Sequence, residues 1–307
     1  MKKLALSVFT ALGLTSAGAL FGAPIVLPGG PLFFQYTDAD QTSLTNSITS
    51  GGSPEGLWGI LQLSSIVTGT ATQPHQDIQG GGTPAFSDQI LPPGAQVLGI
   101  LFGAQSVACA PGNHGAQTAF CTSGGFVDLY WHDSSSQNTG TELLSAANIA
   151  AKRTAINQYT GFTNGPGTTF LARLAFASGA DGAASPNQDI TLTLPGSADG
   201  VAKLYLNVDT SVVGAWTAQL NTDWFTLDPN GVPFAAFGLP GRDLRLDTNF
   251  SHAATWDAAG GIVGLRTNDP GRAFAVPEPG TLALAGLALA LMGARLRRRS
   301  YQQGRHA

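Results

Sequence analysis

Gly125-Phe126-Val127-Asp128-Leu129-Tyr130-Trp131 is the stretch whose reading decides the fold class. Phe126, Asp128 and Tyr130 share one face of an extended chain, and Val127, Leu129 and Trp131 share the other. This is the period-two alternation of a strand with one wetter side. The reading extends outward. Upstream, Gln96 to Phe102 reads as a buried strand, Leu57 to Leu63 with Ile66-Val67 as an apolar strand region, and Pro31 to Tyr36 as a first strand. Thr42 to Ile48 is a weaker polar segment. Gln73 to Pro84, with Gly80-Gly81-Gly82, reads as a turn-rich loop. Downstream, strands are expected at Thr169–Phe176, Asp189–Leu194, Ala202–Val208, Ala215–Leu220, Trp224–Leu227, Arg242–Asp247 and Gly261–Leu265. Asp228-Pro229-Asn230-Gly231 is a turn, with proline presetting φ and glycine taking the left-handed position.

Thr141 to Tyr159 carries Leu143, Leu144, Ala147, Ala151 and Ile156 on an approximate helical stripe that Gly161 would close; a helix and a loop of short turns both fit. The sum is a mainly β chain, an antiparallel β-sandwich of jelly-roll-like form with at most one or two short helices. No exact internal repeat argues for a propeller or solenoid. Charged residues make up only 11 % of the 307, while Gly (40) and Pro (18) are frequent, which suits short strands and long loops.

Both ends fall outside this fold reading. Lys2-Lys3, the apolar run Leu4 to Leu14 and Ala17-Gly18-Ala19 form a secretory signal peptide cut after Ala19, which implies the Sec export machinery as a partner. The body, residues 20–276, holds eight Lys/Arg against eighteen Asp/Glu, a net charge of −10 hidden between two basic ends. An acidic body argues against nucleic acid or an anionic membrane as partner, although divalent cations could bridge it to an acidic polysaccharide. In an oxidising compartment Cys109 and Cys121 read as a disulfide; a metal pair with His114 between them is the alternative, one ligand short of zinc's four.

The C-terminal stretch Val276-Pro277-Glu278-Pro279-Gly280 is extended by its two prolines. Thr281 to Ala294 then forms a helix with leucines on every side. Fourteen residues reach roughly 21 Å against a bilayer core of about 30 Å, so the span is short. Arg295, Arg297, Arg298 and Arg299 would stay on the cytoplasmic side. An ordinary membrane anchor is the plain reading. The Pro277-Glu278-Pro279 motif, short Leu/Ala/Gly helix and closing arginines, in that order, resemble the PEP-CTERM sorting signal. That resemblance implies recognition by an exosortase, a membrane cysteine protease-transferase of Gram-negative bacteria that make exopolysaccharide, with cleavage near Pro277, Glu278, Pro279 and Gly280. The expected organisation is a signal peptide over 1–19, an exported body over 20–266, a linker over 267–275, the sorting signal over 276–299 and a disordered end over 300–307.

Catalytic patterns are sparse. Trp131-His132-Asp133 places adjacent side chains on opposite faces of a strand, and a solvated strand end is the plain reading. Asp38-Ala39-Asp40 puts two acids on one face of an extended chain, short of the six to eight oxygens calcium takes. No pair of acids is selected by spacing for glycoside cleavage. Trp58, Trp131, Trp216, Trp224 and Trp256 are sugar-stacking platforms if exposed and core if buried. No cofactor and no catalytic residue is expected. The order Phe126 to Tyr130, Tyr159-Thr160-Gly161, Phe170 to Phe176, Tyr205 to Val208 and Asp269-Pro270-Gly271 resembles flocculation-associated PEP-CTERM proteins. The resemblance implies a non-enzymatic structural or adhesive protein of the cell surface or matrix, acting in floc or biofilm formation with exopolysaccharide. A lectin-like module and an extracellular polysaccharide-degrading enzyme are the other expectations.

Overall fold

Val127, Leu129 and Trp131 point into an apolar interior, while Phe126 and Tyr130 pack into a second cluster on the opposite face. The strand alternates as read, but its wetter side is covered. Asp128 is buried there and receives both Arg173 Nε and Nη2, each at 2.7 Å. The computed structural model describes residues 24–71, 77–87, 95–109, 118–133, 152–161, 163–165, 167–180, 182–184, 190–194, 199–267 and 271–276.

Fourteen strands are present among these residues: β1 (Leu32–Thr42), β2 (Leu57–Thr70), β3 (Gln79–Ser87), β4 (Gln96–Val107), β5 (Thr118–Ser123), β6 (Phe126–His132), β7 (Arg153–Ala155), β8 (Gln158–Tyr159), β9 (Thr168–Ala177), β10 (Ile190–Leu194), β11 (Gly200–Val208), β12 (Leu244–His252), β13 (Val263–Thr267) and β14 (Gly271–Ala275). One short helix, α1 (Thr217–Leu220), and two 3-10 turns at Phe234–Phe237 and Ala254–Trp256 complete them. The chain is therefore the mainly antiparallel β protein that the alternation predicts.

The pairing gives the layers a particular form. β1 pairs β2, β2 pairs β4, β4 pairs β6, β6 pairs β9, β9 pairs β11, β11 pairs β12, and β13 and β14 both bridge β12 back to β1. The sheet closes on itself, so the two packed layers expected of a sandwich are opposite walls of one barrel. Its strands follow one another around the ring in chain order, an up-and-down meander and not a jelly-roll-like order. Alternation reports one buried face and carries no signal for closure, which is why the sequence points equally to both forms.

Four positions in the sheet are filled by two strands end to end. β3 and β4 both lie along β2, β5 and β6 along β4, β9 and β10 along β11, and β13 and β14 along β12 and β1. The β5–β6 break falls at Gly124 and Gly125, both at positive φ (65° and 100°), opposite Gly103 of β4 (φ 79°). A side chain at Gly125 would meet Ala104 and Phe176 within 3 Å. Leu32, Phe34, Tyr36, Leu61, Leu129, Leu206 and Leu246 fill the interior. Outside, Trp58, Ile60, Tyr130, Tyr159 and Trp256 form a second cluster, and Tyr205, Phe225, Phe234 and Phe274 a third.

Several local expectations are corrected. Gly271–Ala275, expected within the 267–275 linker, is wall strand β14, with Ala273, Phe274 and Ala275 buried, so the body runs on past residue 266. Its five residues hold small side chains inward and Phe274 outward, a strand pattern too short to separate from a Gly/Pro-flanked linker. Gln79–Ser87 is strand β3 although it holds Gly80-Gly81-Gly82, because it lies on the edge of β2 and is not held by two neighbours. Ala215–Leu220 is not a strand: Thr217–Leu220 is helical, and buried Trp216 donates from Nε1 to the Ile25 carbonyl at 2.8 Å. The end of the 141–159 segment is the β7–β8 hairpin; most of that segment lies outside the described residues.

Candidate functional sites

β1 alternates inward at Leu32, Phe34, Tyr36, Asp38 and Asp40, so the last two inward positions bring carboxylates into the barrel. With Tyr36 and Thr248 they line a cavity of about 40 Å³, otherwise walled by residues such as Leu61, Val127, Leu204, Leu246, Phe250 and Leu265. Gly59 on β2 makes the room for Asp40: the carboxylate oxygen occupies the place a Cβ would take. Burial in this apolar enclosure pushes the Asp38 carboxyl up to about 7; the Thr267 backbone and its own backbone N–H partly oppose that. Asp40 is also raised well above the usual carboxylate range, by burial first and the Asp38 charge second. Asp40 is half-buried where Asp38 is buried, and both line this cavity. The Tyr36 hydroxyl is raised by burial and by both acids, and its hydrogen bond with Thr248 works against the shift. Among the described residues no group of three or more acids, histidines or cysteines is placed to hold a metal.

The outer wall carries a different feature. Ser65, Gln35, Arg272, Asp247 and Lys203 stand opposite one another across β2, β1, β14, β12 and β11. In the parallel row Val67, Phe33, Phe274, Arg245 and Tyr205 do the same. Residues 77–81 fold over part of this surface. Gly80 lies flat on Phe33, where a Cβ would come within 2.8 Å of the ring, and Asp77 pairs with Arg245 at 2.9 Å. Between them is an open cleft of about 450 Å³, lined by Phe33, Gln35, Asp77, Gln79, Gly80, Arg272 and Phe274 among others. Phe33 and Phe274 pack with ring centroids 5.7 Å apart.

The remaining candidates separate clearly. Cys109 and Cys121 are joined in a disulfide with Cα atoms 5.1 Å apart, tying the end of β4 to β5. Trp58, Trp131, Trp216 and Trp256 are buried core, not exposed platforms. His132 is buried beside Thr168 and not a solvated strand end. Sequence reasoning missed the buried pair of Glu55 and Arg153. Arg153 Nη1 donates to Glu55 Oε1, Nη2 donates to the Ile156 carbonyl at 2.7 Å, the Gly103 N–H donates to Glu55 Oε2 at 2.7 Å, and the guanidinium lies 4.4 Å over the Trp58 ring. The usable signal was the scarcity of glutamate, with Glu55 one of only two in the body. Ala17, Ala19, Pro277, Glu278, Pro279, Gly280, Arg295, Arg297, Arg298 and Arg299 lie outside the described residues, as does the expected membrane helix. Among the described residues no helix is long and apolar enough to cross a membrane.

Residues 275–299 match the model of the PEP-CTERM protein-sorting motif. The match begins at Ala275, the last residue of β14, so the sorting signal grows directly from the barrel wall. The chain is thus an exported protein that carries an exosortase sorting signal, is held transiently in the membrane by it, and is then secreted. No curated protein and no solved structure matches the chain.

Proposed function

We propose that the secreted barrel is a non-enzymatic structural or adhesive protein of the exopolysaccharide matrix, at the surface of a Gram-negative bacterium that forms flocs or biofilm. The observation that carries this reading is the sorting motif joined without a spacer to a wall strand, so that export delivers a closed, disulfide-tied barrel. The inward acids support the non-enzymatic part. Their cavity of about 40 Å³ has room for water and none for a sugar ring, so the pair does not meet a polymer. Adhesion would come from many weak contacts multiplied by copy number along a polymer.

A lectin-like function is the second reading, and the open cleft on the outer wall favours it. The test mixes the processed, exported protein with exopolysaccharide from the producing cells and records bound fraction and polymer chain length together. Binding at unchanged length is the expected result. Shortened polymer would replace this reading with the degrading enzyme, and no retention would leave contacts between proteins as the adhesive mechanism.

A further inference from the structure

The cleft on the outer wall is rich in hydrogen-bond donors. Gln35 Oε1 accepts from Ser65 Oγ at 2.8 Å, which turns its amide N–H groups toward other partners. Gln79 is exposed at the edge of the cleft. Arg272 is exposed and has no ion-pair partner among the described residues, whereas Arg153, Arg173 and Arg245 all have one. The one acid lining the cleft, Asp77, is already occupied by Arg245. The floor is apolar, with Phe33 packed against Gly80 and Phe274. The volume falls within the range of roughly 300–1,000 Å³ typical of small-molecule sites.

We propose that this cleft binds the uronic acid units of an anionic polysaccharide. The Arg272 guanidinium takes the sugar carboxylate in its planar fork, and the Gln35 and Gln79 amides meet ring hydroxyls above the apolar floor. The proposal rests on the matrix reading above and names its ligand. The acidic body does not forbid it. At about 0.15 M salt charges are screened beyond roughly 8 Å, so distant carboxylates contribute little while a direct Arg–carboxylate contact persists.

The test titrates the processed, exported protein with a hexuronate tetrasaccharide, a glucose tetrasaccharide of equal length, and acetate, by calorimetry and by chemical-shift perturbation. The hexuronate should bind at least about tenfold more tightly than either of the others. Arg272→Gln should lose about tenfold of that affinity, and Arg272→Lys should fall between, keeping charge but not the fork. Lys203→Gln, in the same cross-strand row but outside the cleft, serves as control and should bind as the unaltered protein does. Near-identical circular dichroism and Tm for the variants establish that the barrel is intact. Equal affinity for the two tetrasaccharides, acetate binding as tightly as the hexuronate, or unchanged binding by Arg272→Gln would each overturn the assignment. Retention on the native polymer without hexuronate binding would sink this cleft alone. Failure of both would sink the matrix reading and the cleft with it.

Discussion

Replacing Asp38 with asparagine should stabilise the barrel, and more so as pH rises. Asp38 ordinarily titrates near 3.8, but inside the barrel it is pushed up to about 7 because burial penalises the charged carboxylate. A folded-state value above the unfolded one means that the folded chain holds the proton more tightly. The resulting stability is complete below about pH 4 and is lost as pH climbs through 7. A shift of about three units at roughly 1.4 kcal/mol each sets an upper bound near 4 kcal/mol. Relaxation and cavity water reduce it, so about 2 kcal/mol is the working figure, equivalent to roughly 4–8 °C in Tm for a chain of this size. Asparagine keeps the shape and never ionises. Thermal unfolding of the oxidised protein and of Asp38→Asn at pH 5 and pH 8 would measure the effect. The variant should already lie somewhat higher at pH 5, above the unfolded carboxyl value, and the gap should widen clearly by pH 8. Comparing variant with parent removes the general self-repulsion of the acidic body, which acts on both. Parallel pH profiles, or a variant less stable at pH 8, would refute the placement of Asp38 in an enclosed apolar interior.

Three further outcomes are expected. Reducing the Cys109–Cys121 disulfide frees a loop whose closure is worth about 3 kcal/mol, so the urea midpoint should fall on reduction and stay put in a Cys109→Ser/Cys121→Ser variant treated the same way. Arg153→Met leaves Glu55 buried without its cation and should cost about 3–5 kcal/mol, and adding Glu55→Gln should recover part of that loss in the same denaturation assay. Deleting Pro277 to Pro279 should hold the protein in the membrane fraction with its tail intact; unchanged release would mean that the tail is a plain anchor.

The strand content was legible because side-chain alternation is local. Phe126 to Trp131 and Ala202 to Val208 each declare one face inward, and both are strands. Closure was not legible, since it depends on which strands meet. β2 meeting β4, and β14 sitting between β12 and β1, leave no mark on any single segment. Glycine-rich Gln79 to Ser87 shows the same limit from the other side. Its composition favours a loop, and the free edge of β2 overrides it. The acid pair was half legible. Spacing put Asp38 and Asp40 on one face, but only the closed ring makes that face an interior. The cleft gave no signal at all, because Gln35, Gln79 and Arg272 are brought together from distant parts of the chain.

The placement of β14 has a mechanical consequence for display. A cut upstream of Val276 would strip a stave whose neighbours β1 and β12 both depend on it, so trimming that leaves the barrel whole must fall at Val276 or beyond. Whatever is attached near the motif is then tethered by a handful of residues, about 3.3–3.6 Å each when extended. So short a leash keeps the C-terminal end of β14 close to whatever holds the protein.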